Sequence, residues 1–163
     1  MQIAIKSERL FITPLASDDF EFIKVLVNTP GWIKFIGDRN IHSKEAAQQY
    51  IQKILDKEHT HYWIVRLKDH GVAIGIITLM LRNYLNDYDF GFAFLPEYGK
   101  QGFAFEAAAA VLNELEINSE YKQLLAITMQ QNVSSIKLLE KLGFVFEKNM
   151  VIDNEELKMF KRG

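Results

Sequence analysis

The spacing of apolar residues changes near residue 60, from a helical rhythm to runs typical of strands. Upstream, residues 8–13 (ERLFIT) form a β-prone run that ends at Pro14. Ser17 then predicts a helix N-cap, with Asp18 and Asp19 in a first turn whose dipole favours anions, and Phe22, Ile23, Leu26 and Val27 share one face of that helix. Asn28 to Gly31 reads as a break. Ser43 predicts the cap of a second helix, in which Ala46, Ala47, Tyr50, Ile51, Ile54 and Leu55 keep helical spacing.

Downstream, 62–68 and 72–81 are β-rich runs flanking Lys68-Asp69-His70-Gly71, which has hairpin composition. A third strand over 89–95 stops at Pro96. A turn with Gly99 and Gly102 leads into an Ala-rich helix that ends near residue 117. Strand 123–129, helix 133–142 with Gly143 as a left-handed cap, and strands 144–147 and 156–161 complete the pattern. Two helices, a meander, then strand–helix–strand–helix–strand predict one α/β domain, residues 1–163, around a mixed sheet.

Composition narrows the function. The 163 residues are 48% hydrophobic and 25% charged, which suits a single packed domain and excludes intrinsic disorder. Nineteen basic against 21 acidic residues give a net charge of −2, which provides no broad attraction to nucleic acid or anionic membrane. The chain has no cysteine, so a disulfide scaffold, a thiolate zinc site and a Cys nucleophile are excluded. His59 and His61 are two apart, His70 sits in a turn and His42 near a helix start, so no metal is expected. The first residues, MQIAIKSERLFITPL, lack a signal-peptide core, and every apolar run is too short to span a bilayer. A cytoplasmic protein is the expectation.

The segment FAFLPEYGKQGFAFEAAAAVL (92–112) carries the first chemistry. A strand ends, a glycine turn follows, and a helix starts at once, presenting amides with no intrahelical partner to an anion such as a diphosphate. Gly102 allows close approach to the backbone, and Lys100 adds a charge. The spacing is neither the dinucleotide fingerprint nor the Walker loop.

Gly99-Lys100-Gln101-Gly102-Phe103-Ala104 resembles the Arg/Gln-x-x-Gly-x-Gly/Ala signature of the GNAT-family N-acetyltransferases, with Gly99 in place of Arg or Gln. Asn132-Val133-Ser134-Ser135, followed by Glu140-Lys141-Leu142-Gly143-Phe144, resembles a second block of the same family. SERLFITPL (7–15), YWIVRLKDHGVAIGIITL (62–79) and DFGFAFLPEY (89–98) fit in the family's order, and the branch resembled includes the ribosomal-protein N-terminal acetyltransferases. The resemblance implies a central, mostly antiparallel twisted sheet of about six or seven strands flanked by about four helices.

It also implies acetyl-coenzyme A as donor, a primary amine as acceptor and direct attack in a ternary complex, with a homodimer as a further expectation. The strand edge Phe92 to Leu95, including Phe94, would pair with the pantetheine amides, and the turn Lys100, Gln101, Gly102, Phe103 and Ala104 would hold the pyrophosphate. Splaying of this strand from 123–129 would open the slot for the thioester. Asn132 would contact the cofactor or cap its helix, and Ser135 would protonate the departing thiolate. Leu139 occupies the position where many relatives carry a tyrosine, so a tyrosine acid is absent there.

The reaction sets the need for a base. A lysine amine with pKa near 10.4 is neutral at pH 7 in roughly one molecule per few thousand, and an α-amine in roughly 10–20%. Asp89, at the start of the third strand, is the candidate base, its pKa raised by the nearby Asp87; the alternative is that both acids solvate a strand entrance. Glu97, beside the turn, is expected in solvent. Trp32, Phe35, Ile36 and Trp63 are expected as core or acceptor-pocket wall, with Trp63 the more core-like. The acceptor is a protein N-terminal amine or a small-molecule amine. A non-catalytic acyl-coenzyme A binding or sensing module is the alternative, and RNA binding by the sheet has no charge or aromatic motif to support it.

Overall fold

A computed structural model describes residues 3–163. Eight strands form one sheet in the order β1-β2-β3-β4-β5-β6-β8-β7. They are β1 (Ile5–Lys6), β2 (Leu10–Pro14), β3 (Thr60–Leu67), β4 (Ala73–Met80), β5 (Tyr88–Phe94), β6 (Leu124–Met129), β7 (Val145–Ile152) and β8 (Glu155–Arg162). Neighbours are antiparallel except β5 and β6, which run parallel across the helical connection that such a pair requires. Among the described residues five helices accompany them: α1 (Phe20–Val27), α2 (Pro30–Phe35), α3 (Lys44–Asp56), α4 (Phe103–Glu116) and α5 (Val133–Lys141).

The sheet separates two cores. Ile23, Leu26 and Ile51 of α1 and α3 pack with Ile64 and Ile76 on one face. On the other, Val111 and Leu112 of α4 and Leu139 of α5 pack with Ile77, Leu79 and Phe90. β4 is therefore buried along nearly its whole length, and its run of β-branched and aliphatic residues reflects contact on both faces. Trp63 is fully buried, and its indole N–H donates to the Ile3 carbonyl (3.3 Å).

The sequence expectations hold for most elements and fail at four, one being the strand expected over 144–147, which as β7 runs on to Ile152. The strand count is eight because Ile5–Lys6 makes a short pairing with β2. The fifth helix, α2, lies where Asn28 to Gly31 was expected to break the chain. Pro30 stands in its first turn, where its missing N–H costs nothing, and the Thr29 hydroxyl accepts the Trp32 N–H (3.4 Å). Ser17 is not a cap: 17–19 form a 3-10 turn, and Asp19 reaches back to accept the Ala16 N–H (2.8 Å). The Ser43 cap is present, its hydroxyl accepting the Ala46 N–H (3.1 Å).

One defect in the sheet matters for function. β5 and β6 pair only at Tyr88↔Leu124 and Asp89↔Leu125, and beyond that point they separate. Leu95 N–H donates to Ile74 O (2.9 Å), which fixes the phase of the β4–β5 ladder. By alternation, Ala93, Gly91 and Asp89 also direct their peptide groups at β4, and Phe90, Phe92 and Phe94 direct theirs at the gap.

Candidate active site

The gap opens into a cavity of about 200 Å³ that reaches both faces of the sheet. On the α1–α3 face its wall includes Trp32, Phe35, Tyr62, Thr78, Arg82 and Asp89. On the other side of the gap it meets Ile127, Thr128, Asn132, Ser135 and Leu139. Four of the sequence-derived candidates thus meet in one space: Asp89, Phe92, Asn132 and Ser135.

Asp89 is 6% exposed. Burial pushes its carboxyl above the ordinary carboxylate range, while the Arg82 guanidinium and the Ile127 amide pull it back. The Arg82 Nε–Asp89 Oδ2 distance is 2.6 Å. The charged neighbour of Asp89 is therefore a cation. Asp87 was expected to supply a second carboxylate, but burial is what raises the acid. Arg82 lies just beyond β4, across the β4–β5 reversal from the start of β5, and the sequence reading missed it. Opposite charges at the two ends of one strand reversal were the available signal.

Asn132 caps α5, its side-chain oxygen accepting the Ser135 N–H (3.3 Å). That bond occupies one polar group of the carboxamide, and the residue still lines the cavity. Tyr62, two strands from β5, is held neutral: burial pushes its phenol well above the ordinary value, the Tyr50 hydroxyl adds to this, and Arg82 and Arg39 act against it.

The other candidates line the approach to α4. Left-handed Lys100 (φ 60°) and Gly102 (φ 81°) turn the loop into the helix, and Gly102 brings no side chain to cap the first amides. A Cβ on Gly102 would stand 3.4 Å from Arg9 Nη2, an ordinary contact, so the left-handed backbone is what calls for glycine. Gln101 and Lys100 are exposed on this turn, Phe103 is buried beneath it, and Ala104 is half-buried. Leu95 differs from Phe92 and Phe94: its N–H goes to Ile74 and its carbonyl accepts the Tyr98 N–H (3.1 Å), so its backbone is engaged within the chain. Glu97 is exposed in the intervening 3-10 turn.

The start of α4 is fastened to the turn between β1 and β2. Glu106 accepts from Ser7 Oγ, Arg9 N and Arg9 Nε, each at 2.7 Å, and Arg9 Nη1 donates to Gln101 O (3.1 Å). Burial works against the Glu106 carboxylate, but the Ser7 and Arg9 bonds outweigh it and hold its pKa below the usual range. Its stabilising effect is therefore complete above the ordinary carboxylate pKa and is lost as pH falls through the depressed value. Glu106→Ala should lower stability by about 2 kcal/mol near neutrality, from the charge-assisted bonds to Ser7 and to the Arg9 amide. The Arg9 guanidinium, 43% exposed, adds little. Denaturant melts at pH 7 and pH 3 check this, with the gap between variant and parent narrowing in acid.

The acetyltransferase (GNAT) domain family matches the chain over residues 9–145. The chain belongs to the GNAT acetyltransferase family. As a GNAT protein it is an acyltransferase, and the non-catalytic binding module weighed from the sequence gives way to that assignment. The uncharacterized N-acetyltransferase YnaD of Bacillus subtilis is 23% identical over 139 residues, 85% of this chain and 81% of the relative. A GNAT-family acetyltransferase from Bacillus anthracis superposes with a TM-score of 0.81 at 23% identity, over 98% of this chain and 97% of the other. RimL, a ribosomal L7/L12 α-N-protein acetyltransferase in complex with coenzyme A, shares the fold with a TM-score of 0.85 at 13% identity, over 98% and 97%. The opened β5–β6 pair and the uncapped α4 are thus placed in a GNAT fold. Among the described residues no group of three metal-ligating side chains comes together, and no helix is long and apolar enough to cross a membrane.

Proposed function

We propose that this GNAT protein moves the acetyl group of acetyl-coenzyme A onto a primary amine by direct attack in a ternary complex. One observation carries the reading: pairing of β5 with β6 stops at Asp89, and the opened sheet joins that acid to Asn132 and Ser135 in one cavity.

The residues fit the donor. The peptide groups of Phe92 and Phe94 face the gap and offer a strand edge to the pantetheine amides. The first amides of α4, at Phe103 and Ala104 beyond Gly102, suit the diphosphate, with Lys100 and Gln101 on the same turn. When bound, acetyl-coenzyme A supplies a thioester whose carbonyl carbon accepts the amine nitrogen and whose sulfur leaves as thiolate. Asp89 takes the proton that the amine must lose, and its burial-raised pKa brings it closer to working pH. The Ser135 hydroxyl, across the gap, donates to the departing sulfur. The aromatic wall of Trp32, Phe35 and Tyr62 holds the acceptor away from bulk water.

Incubation of the protein with acetyl-coenzyme A and a panel of N-terminal peptides and small amines, read by mass spectrometry, tests the reading. One acetyl group gained on an amine supports it; coenzyme binding with no acetylated product overturns it. Ser135→Ala should lower kcat only about tenfold. A thiol with an ordinary pKa near 8.5 is a fair leaving group, so its protonation contributes less than a full general acid. Turnover measured at saturating donor checks this.

A further inference from the structure

Among the described residues, the charged groups lining the cavity are Arg39, Arg82 and Asp89. Asp89 and Arg82 offset each other's charge at 2.6 Å. Arg39 has no hydrogen bond and no carboxylate within ion-pair distance among the described residues. It lies in the segment between α2 and α3, at the cavity's exposed mouth. The local backbone is set: Gly37 has φ 122°, Asn40 has φ 53°, and the Asn40 N–H donates to Asp38 Oδ1 (2.8 Å). Trp32, in the same wall, has a buried indole N–H with no acceptor among the described residues. The cavity is thus rich in donors and carries one positive charge beyond neutrality.

We propose that the acceptor amine carries an anionic group, which Arg39 binds at the mouth while the amine meets Asp89. The inference rests on the N-acetyltransferase reading and specifies its substrate class. An amine bearing a carboxylate supplies the anion for Arg39, and in the form that attacks, with its amine neutral, its net charge of −1 offsets the cavity's surplus. A polyamine adds several positive charges to a site already in surplus and is disfavoured by like-charge repulsion. With about 200 Å³ in all, the cavity takes about one residue's worth of acceptor. The carboxylate is then either that of a free α-amino acid or the acidic side chain of a peptide's leading residues.

Matched acceptors separate the cases: an apolar amino acid against its amide, an N-terminal peptide with Asp at its second position against the same peptide with Asn, and spermidine. Thiol release gives KM for each, with the parent, Arg39→Gln and Arg39→Lys. The anionic member of at least one pair should show a KM about tenfold below its neutral partner, and the pair that does so identifies the carboxylate's source. Arg39→Gln should remove that difference by raising KM for the anionic member alone, with KM for acetyl-coenzyme A unchanged, and Arg39→Lys should keep most of it. Added salt should shrink it, as expected for an exposed guanidinium. Equal or better use of the neutral partners or of spermidine overturns the proposal and leaves the transferase reading standing. Thiol release with none of them overturns the proposal, and the wider amine panel read by mass spectrometry then decides the transferase reading separately.

Discussion

Asp89→Asn should lower kcat by about two to three orders of magnitude, at the lower end of what a positioned base contributes when the acceptor is an α-amine. The size of the loss reports on the acceptor. An α-amine is already neutral in roughly 10–20% of molecules at pH 7, and a lysine amine in very few, so the same substitution should cost a lysine-directed reaction more. In the parent, kcat/KM should rise with pH as the Asp89 carboxyl ionises, above the usual carboxylate range because burial holds it there. In the variant that limb should disappear and leave only the acceptor's own titration. The substitution should spare the fold: Arg82 is 40% exposed and can turn to water once its partner is neutral. Unchanged turnover across pH, with a normal melt, would place the base elsewhere.

The same residue marks how far local sequence signals reach. Asp89 was legible as an acid at the start of the strand that runs into the glycine turn, because both features are local. Its partner was not. Asp87 is two residues away in sequence, but Arg82 reaches Asp89 through the β4–β5 reversal, and only the register Met80↔Asp89 puts the two side by side. α2 was hidden for a similar reason: Pro30 and Gly31 argue against a helix until the Thr29 cap and the buried Trp32 are seen together. β7 was read short because it is almost wholly exposed, so no alternation marks residues beyond Glu147. Its far end is defined by pairing with β8 through the turn at Asp153 and Asn154, both left-handed. Caps and turns with their own chemistry, at Ser43, Asn132, Gly102 and Gly143, were the features that needed no tertiary context.

Gly102 carries the second large effect, and a graded series separates two physical reasons for it. The left-handed backbone (φ 81°) costs an ordinary L-residue about 1–2 kcal/mol, more with a β-branch, and much less for Asn, which visits that region readily. A Cβ there would point toward Arg9 Nη2 at 3.4 Å, where space is adequate. The conformational account therefore predicts that acetyl-coenzyme A affinity falls in the order Asn, Ala, Val. Asn should be close to the parent, Ala about tenfold weaker and Val roughly 100-fold weaker, since about 1.4 kcal/mol corresponds to each tenfold step. A steric account, in which any side chain occupies the room of the diphosphate, predicts Asn to bind worse than Ala because it is larger. Calorimetric titration of the three variants with acetyl-coenzyme A distinguishes them. The strain reaches affinity where the free turn relaxes to another conformation and must be re-formed on binding; the Glu106 anchor confines that relaxation to the turn, so near-constant melting temperatures should accompany the graded loss. Parent-like binding by Gly102→Val would mean that this turn does not grip the donor.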